Sequence, residues 1–244
     1  MVGKQTKIRL YLNAPLGVAQ CVELNRDQAN YLFSVMRLSI GDRLTVFNGI
    51  DGAWLAEVTN ASKRTGQLTA LSQTSPQTEP PDIWLLFAPI KKARTDFIVE
   101  KAAEMGARQI LPVQTDFTNA ERIRQDRLQA HAVEAAEQCG GVFVPKVSPL
   151  QKLGDALRNW PKDRQIMFCD ESLVGARATL TAQANKTKWA ILIGPEGGFS
   201  PAEQSRLRAL DFVSPVSLGP RILRADTAVV AALTLWQLTL GDWQ

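Results

Sequence analysis

The sequence predicts a two-domain protein whose larger domain is an α/β fold with a parallel sheet. From residue 83 onward, short apolar runs alternate with helical patterns, which is typical of a parallel sheet covered by helices on both faces. The preceding part shows short alternating runs separated by glycine-containing hairpin turns. Residues 75–82 contain three prolines and no large apolar side chain. We therefore predict a mostly β domain at 1–74, a linker at 75–82 and an α/β domain at 83–244.

The composition is that of a folded, soluble protein, with 45% hydrophobic and 21% charged residues among 244. The net charge of +4 favours an anionic partner, although this charge is much smaller than that of proteins with a basic tail or arm. No apolar run approaches the roughly 20 residues that span a bilayer, and the start lacks the pattern of a secretory signal, so we expect a cytoplasmic protein. The three cysteines lack CxxC spacing and indicate neither a disulfide framework nor a zinc site.

Alternating apolar residues and turn signals predict the elements of the front domain. Asn25 is a predicted helix cap, with Gln28 three residues later. The buried stripe of this helix is expected to comprise Ala29, Leu32, Phe33 and Met36. The predicted strands are Lys7–Leu12, Val18–Leu24, Arg43–Phe47, Ala53–Thr59 and Gln67–Leu71. The resulting small domain is interpreted as a barrel with one helix.

The α/β domain begins with a predicted strand at Ile83–Ile90 and a helix from about Thr95 to Gly106. A strand at Gln109–Val113 and a helix at Arg124–Cys139 follow. A further strand is predicted at Arg164–Cys169. The remaining chain consists of two units in which a strand, a Gly-Pro loop and a helix follow one another.

The first of these units begins with the uncharged run Trp189–Ile193, which fits a strand buried on both faces. The loop Gly194–Phe199 contains three glycines, which let the backbone approach a ligand closely. Ser200 can cap the next helix, Pro201 suits its first turn, and Glu203 lies in the capping-box position. A helix start with free N-H groups next to such a loop indicates a binding loop.

The second unit, at residues 213–236, adds two arginines to the same pattern. Arg221 and Arg224 can hold a phosphate or an electron-rich base. Alternatively, one or both pair with Glu196 or Asp226 as structural salt bridges. The residue types alone leave both possibilities open.

Several motifs of common enzymes are absent from the sequence. It contains no GxxxxGK[ST] phosphate loop, no GxGxxG after a predicted strand, no GxSxG and no HExxH. The only histidine, His131, lies on the flank of a predicted helix and is interpreted as structural or solvated. The ligand of the Gly-Pro loops is therefore expected to be another kind of small molecule.

Five motifs spread over nearly the whole chain carry a family resemblance. The two Gly-Pro units contribute Ile193–Glu203 and Leu218–Ala228. The front domain contributes Tyr31–Asp42, and the two central helices contribute Val99–Gly106 and Glu134–Gly140. In their order along the chain, these motifs resemble the RsmE family of 16S ribosomal RNA uridine-N3 methyltransferases, which belongs to the SPOUT (trefoil-knot) class.

The resemblance implies a PUA-like RNA-binding β-barrel followed by a SPOUT-type parallel sheet with a deep C-terminal trefoil knot. It implies a homodimer formed through the C-terminal domain and 16S rRNA in the 30S small ribosomal subunit as partner. S-adenosylmethionine is the implied cofactor, without a metal. The residues expected to bind it are Cys169, Ile193, Gly194, Pro195, Glu196, Gly197, Leu218, Gly219, Leu223 and Thr227. Those expected to contact RNA are Arg9, Arg37, Arg43, Lys91 and Lys92.

The reaction implied by the resemblance is methyl transfer to N3 of a uridine. Removing the N3 proton places negative charge on the flanking carbonyl oxygens, which an arginine can stabilise. Arg224 is the first candidate for this role and Arg221 the second. Glu196 and Asp226 are candidates for the general base, and solvent is the alternative.

Three positions depart from the family pattern. Gly141 lies where arginine is common, residues 115–119 lack the basic side chains often found there, and Asp226 replaces the more usual glutamate. Two alternative functions are a non-catalytic RNA-binding factor in ribosome assembly and a related methyltransferase acting on transfer RNA or a ribose 2′-oxygen. The intact loop and the retained arginines speak against the first.

Overall fold

The computed structural model describes residues 4–120, 122–170, 180 and 186–243. The chain forms two compact units. Unit 1 consists of Met1–Glu79 together with Ala136–Val144, and unit 2 consists of Pro80–Ala135 and Pro145–Gln244. Unit 1 therefore includes a short segment that is remote in sequence from the rest of it.

Unit 1 contains one five-stranded sheet with the order β1-β3-β4-β5-β2. β1 pairs with β3 in parallel, and the other pairs are antiparallel. Buried aliphatic side chains from all five strands form its core. The strands are β1 Gln5–Tyr11, β2 Cys21–Leu24, β3 Arg43–Phe47, β4 Ala53–Ala61 and β5 Gly66–Ser75. The mostly β character predicted for the front of the chain is confirmed.

The helix of unit 1 differs from the regular helix that the sequence predicts. It begins with the predicted capping box between Asn25 and Gln28, as helix α1, Arg26–Ala29. It then continues as a π-helical segment, Asn30–Val35. The wider π turn changes which side chains face the core, so Met36 is 41% exposed although the pattern placed it in the buried stripe.

The remote segment of unit 1 contacts its first strand. The backbone N-H of Tyr11 donates to Glu137 Oε1 at 2.8 Å, and Arg9 Nη2 donates to the carbonyl oxygen of Gly141 at 2.5 Å. The Arg9 guanidinium also lies 5.0 Å from the ring centre of Phe47. Burial lowers the pKa of Arg9. Arg9, which the resemblance assigned to RNA contact, is therefore engaged in packing within unit 1.

Unit 2 contains a fully parallel sheet with the order β12-β10-β11-β6-β7-β8, and β9 pairs with the far end of β7. The predicted parallel sheet is confirmed. Its strands are β6 Ile83–Phe87, β7 Gln109–Gln114, β8 Lys146–Val147, β9 Gln151–Lys152, β10 Gln165–Cys169, β11 Trp189–Ile193 and β12 Val213–Val216. The helices described after residue 80 are α2 Lys92–Glu104, α3 Gln125–Cys139, α4 Leu153–Arg158, α5 Pro201–Arg208 and α6 Ala225–Thr239. The last four residues of α3 belong to unit 1.

Several boundaries in unit 2 differ from the predicted ones. β8, β9 and α4 were not predicted, because a strand of two residues shows no alternation and a helix of six residues is shorter than two turns. The first strand ends at Phe87 rather than Ile90, and α2 begins at Lys92 rather than near Thr95. The Thr95 hydroxyl exchanges hydrogen bonds with the backbone of Ile90, which shapes the turn before the helix.

The predicted trefoil knot stays a prediction. Residues 171–179 and 181–185, between β10 and β11, lie outside the described residues. Of the helices in the described part of the chain, none has the length and apolar character needed to cross a membrane.

A buried arginine joins three strands at the amino end of the parallel sheet. Arg164, 4% exposed, precedes β10, and its Nη2 donates to both carboxylate oxygens of Asp82 at 2.9 and 2.8 Å. Its Nη1 donates to the carbonyl oxygens of Asp82 and Trp189. The guanidinium also lies 3.6 Å from the ring centre of Trp84. One side chain therefore fixes the starts of β6, β10 and β11 relative to each other.

We predict that Arg164→Met lowers the free energy of unfolding by about 3 kcal/mol, because it leaves the Asp82 carboxylate without its partner. Urea denaturation followed by tryptophan fluorescence measures the change. Lys188→Met is the matched control, since Lys188 pairs with Asp163 at the same end of the sheet but in solvent. Equal midpoints for the two variants contradict a structural role for Arg164.

Candidate functional site

A cavity lies at the carboxyl ends of β10, β11 and β12, where ligands commonly bind in open parallel sheets. Its open space is about 670 Å³, which includes solvent at the mouth. The loops after these strands and the starts of α5 and α6 form its walls. The lining residues are Phe168, Cys169, Asp170, Ile193, Gly194, Pro195, Gly198, Phe199, Gln204, Leu218, Gly219, Arg221, Leu223, Ala225 and Ala228.

The loop after β11 requires glycine at its first position. A Cβ atom on Gly194 would lie 2.7 Å from the ring of Phe199, which is closer than carbon atoms can pack. Phe199 cannot retreat easily, since it is 7% exposed and packs edge-on against Phe168 at 5.1 Å between ring centres. Gly198, with φ +70°, closes a turn by donating its N-H to the carbonyl of Pro195.

The start of α5 is fixed by a small hydrogen-bond network. The predicted capping box is confirmed: Ser200 Oγ accepts from the Glu203 N-H, and Glu203 Oε2 accepts from the Ser200 N-H at 3.0 Å. Ser200 Oγ also donates to Asp116 Oδ2 at 2.5 Å, and the Asp116 N-H donates to Glu203 Oε1 at 3.0 Å. The segment after β7 is thereby attached to the helix that bounds the cavity.

The loop after β12 brings backbone and apolar groups to the opposite wall. Gly219 has φ +124°, a conformation that favours glycine, and its N-H donates to Ser217 Oγ at 3.2 Å. Arg221 lines the cavity, and Arg224 is the exposed N-cap residue of α6. Within the described ranges, neither arginine forms an ion pair or a side-chain hydrogen bond. Both are therefore available to a ligand.

The acids that the sequence offered as partners of these arginines pair with a third arginine. Arg94, in the first turn of α2, forms an ion pair with Glu196, and its Nε lies 3.7 Å from Asp226 Oδ2. Sequence reasoning did not single out Arg94. The only available signal was the basic run Lys91-Lys92-Ala93-Arg94 at a helix start.

The end of β10 supplies a buried acid and a thiol. The Asp170 side chain is 4% exposed and accepts from Arg208 Nε at 3.1 Å. Cys169 lines the cavity, and burial raises the pKa of its thiol, so it is neutral at physiological pH and a poor nucleophile. In the described part of the chain, no group of three or more His, Cys, Asp or Glu is arranged to hold a metal ion.

The structure brings most of the residues predicted to bind the cofactor to one cavity. Seven of the ten line it, namely Cys169, Ile193, Gly194, Pro195, Leu218, Gly219 and Leu223. Glu196 and Gly197 belong to the same loop but not to the lining, and Thr227 is exposed in the first turn of α6. Gly198 and Phe199, which belong to the predicted binding loop, also line the cavity. No signal in the sequence identified Phe168, Asp170, Gln204, Ala225 and Ala228, because only the packing of β10, α5 and α6 brings these residues to the cavity.

The remaining candidates lie elsewhere. Arg43 pairs with Glu57 at 2.9 Å in unit 1, whereas Arg37 is exposed there. Lys91 and Lys92 are exposed at the start of α2 in unit 2. His131 lies outside the cavity lining, with Nδ1 2.9 Å from Glu100 Oε1.

Comparison with known families identifies the chain. The profile described as "RNA methyltransferase domain" matches residues 77–237, about two thirds of the sequence. The chain belongs to the RNA methyltransferase family. A second profile, described as "RNA methyltransferase PUA domain", matches residues 24–71. The predicted PUA-like front domain is thereby confirmed as a member of a domain type that accompanies RNA methyltransferases.

Named relatives of this RNA methyltransferase extend over nearly its full length. The Ribosomal RNA small subunit methyltransferase E of Buchnera aphidicola subsp. Schizaphis graminum is 28% identical over 96% of this chain and 97% of its own. The protein of the same name from Synechocystis is 32% identical, covering 87% of this chain and 71% of its own. The crystal structure of the Neisseria gonorrhoeae enzyme, bound to S-adenosyl methionine, has a TM-score of 0.90 at 27% identity, covering 98% of this chain and all of that one.

We predict that Gly194→Ala lowers the melting temperature of this RNA methyltransferase, because the added Cβ forces Phe199 away from Phe168 at a cost of about 1–3 kcal/mol. Differential scanning calorimetry measures the shift. Gly197→Ala is the matched control, since its Cβ would meet Phe117 at an ordinary 3.5 Å. If both alanine variants melt at the wild-type temperature, the tight packing around Gly194 does not exist in solution.

Proposed function

We propose that the protein transfers the methyl group of S-adenosylmethionine to N3 of a uridine in 16S rRNA of the small ribosomal subunit. The single observation that carries the proposal is the cavity between the two Gly-Pro loops, in a chain whose relatives are named ribosomal RNA small subunit methyltransferases. The same proposal includes action in the cytoplasm, on the 30S subunit, as a homodimer formed through the C-terminal domain.

The groups around the cavity fit S-adenosylmethionine. Phe168, Leu218 and Leu223 offer apolar surface for an adenine ring. Gly194 and Gly219 let backbone N-H and carbonyl groups approach polar atoms of the ligand closely. When bound, the cofactor supplies a methyl group on a cationic sulfur, which requires no metal. The chain itself must bind and orient it, and must activate the acceptor nitrogen.

Arginines at the edge of the cavity are suited to activating uracil. N3 carries a proton, and its loss places negative charge on the two flanking carbonyl oxygens. Arg224 and Arg221 would donate to these oxygens and stabilise that charge. Both guanidinium groups are exposed, and no described acid neutralises them. The base must first leave its stack to reach this edge.

The RNA-binding role rests on the PUA domain and on exposed cations. Arg37 in unit 1 and Lys91 and Lys92 in unit 2 are exposed and remain the best candidates for phosphate contacts. For the dimer, α6 carries an apolar run at 228–236 that only Thr234 interrupts, and Leu238 and Trp243 near its end are 55% and 44% exposed. Contiguous exposed apolar patches commonly mark an interface, and these two side chains are candidates for part of one.

The function is tested by incubating the purified protein with labelled S-adenosylmethionine and unmodified small ribosomal subunits, and by identifying the labelled nucleoside with mass spectrometry. We expect labelled 3-methyluridine. Label in another nucleoside, or in transfer RNA offered as a competitor, would overturn the substrate. No label on subunits or free RNA would favour a non-catalytic factor in ribosome assembly.

We further predict that Arg224→Ala lowers turnover by about 10²-fold, as expected for loss of one donor to a developing oxyanion, and changes the Kd of the cofactor little. Arg221→Ala is compared in parallel, since Arg221 lines the cavity. Single-turnover rates and calorimetric titration separate the two effects. Arg158→Ala, on the exposed face of α4, is the control variant. Unchanged turnover in Arg224→Ala removes this residue from the mechanism.

A further inference from the structure

We propose that Arg94 is a positioning residue that joins the two walls of the cofactor cavity by pairing with one carboxylate from each. The proposal rests on the proposed function, in which both walls bind S-adenosylmethionine. Glu196 belongs to the loop after β11, and Asp226 belongs to the first turn of α6. These two segments are about 30 residues apart in sequence, and Arg94 belongs to a third element, α2.

The contacts of Arg94 use different nitrogens for the two acids. Its Nη1 donates to Glu196 Oε1, and its Nε lies 3.7 Å from Asp226 Oδ2. The other carboxylate oxygen of Asp226 accepts from the N-H of Thr227 at 2.9 Å, which fixes the orientation of the acid at the helix start. A planar guanidinium can face two carboxylates at once, whereas an ammonium group concentrates its charge at one point.

The two contacts differ in burial. The side chains of Arg94 and Asp226 are 29% and 20% exposed, so solvent screens their attraction less than at an open surface, whereas Glu196 is 49% exposed and its attraction to Arg94 is screened more. Arg94 itself does not line the cavity. It therefore acts through the neighbours of its two partners, Pro195 on one wall and Ala225 on the other, both of which do line it.

The packing of α2 against α6 supports the same role. At the far ends of the two helices, Gln237, which is fully buried, donates through Nε2 to the carbonyl oxygen of Met105 at 2.7 Å. Arg94 and Asp226 lie at the near ends. α6 is thereby attached to α2 at both ends, and the pairing of Arg94 with Glu196 attaches the loop after β11 to the same helix.

This arrangement also bears on the proton of uracil N3. Glu196 and Asp226 were the candidate bases in the sequence, yet each already faces the Arg94 guanidinium. A carboxylate that took up the proton would lose its attraction to that cation. We therefore assign the two acids to holding the loops and leave the proton to solvent.

The test measures the Kd of S-adenosylmethionine by calorimetric titration without RNA. We expect Arg94→Ala to raise the Kd roughly tenfold, since small displacements of binding groups are costly, and Arg94→Lys to recover only part of the loss. Glu196→Gln should weaken binding in the wild type but have little further effect in the Arg94→Ala background, because the pair is already broken. Lys101→Ala, which removes a half-buried cation paired with Glu104 on the same helix, is the matched control and should leave the Kd unchanged.

A second readout needs no ligand. Amide hydrogen exchange in the free protein should rise in both 194–199 and 219–226 when Arg94 is replaced by alanine, and should stay constant in Lys101→Ala. An unchanged Kd, additive effects of Arg94→Ala and Glu196→Gln, or exchange that rises in only one loop would each overturn the proposal. If the wild type binds cofactor but methylates no RNA, the proposed function fails while the proposal on Arg94 is still decided by these two measurements.

The assignment of the acids is tested by the pH dependence of the single-turnover rate on small ribosomal subunits. The Glu196→Gln/Asp226→Asn double variant should be slower but keep the wild-type pH midpoint. A midpoint that disappears in the double variant shows that one of the carboxylates is the base and overturns this part of the proposal.

Discussion

The strands β6, β10 and β11 begin at the same level of the parallel sheet, and the buried guanidinium of Arg164 connects their starts. It donates four hydrogen bonds, to Asp82 before β6 and to the first residue of β11, and it belongs to the residue before β10. Each of these strands has five residues, and Ile83, Trp189 and Gln165 are in register. The strands therefore also end level, and the loops after them emerge at one edge of the sheet. The contacts of Arg164 at one edge of the sheet and the cavity at the opposite edge are thereby connected through three strands of equal length.

The loops at that edge could be predicted from the sequence because their chemistry is local. Glycines, a Ser-Pro-x-Glu helix start and short apolar strands signal their structure within a dozen residues. The same is true of the parallel sheet and of the capping box at Asn25. The π-helical segment after it could not be predicted, since a π turn uses the same residue types as an α-helix and is selected by packing.

Contacts between residues distant in sequence could not be predicted either, but for a different reason. The end of α3 within 136–144 could be predicted, but the contact of this segment with the first strand could not. That contact is made by Arg9 with Gly141 and by Tyr11 with Glu137, and each pair is more than 120 residues apart in sequence. The pairing of Arg94 with Glu196 spans 102 residues. Sequence periodicity reports which face of an element is buried, but not which element covers it.

The partners of each arginine show whether it has a structural role or is available to a ligand, which a count of charges does not show. Arg164 donates to both carboxylate oxygens of Asp82, and Arg9 contacts a carbonyl oxygen and an aromatic ring, so both side chains have structural roles. Arg94 is shared between two acids. In the described part of the chain Arg221 and Arg224 have no such partners, although they are of the same residue type and lie in the same domain as Arg94 and Arg164. Only the position of the carboxylates distinguishes these groups.

This distribution of charge divides the cavity into an interior and a rim. The interior is lined by apolar side chains and loop backbone, and Asp170, the acid among the described lining residues, is already paired with Arg208. A ligand there is selected by shape and by backbone hydrogen bonds. At the rim, three arginines and two carboxylates leave a net charge of +1 among Arg94, Glu196, Arg221, Arg224 and Asp226. An electron-rich acceptor is therefore attracted to the rim, where Arg221 and Arg224 are, while the mostly apolar interior is left to the cofactor.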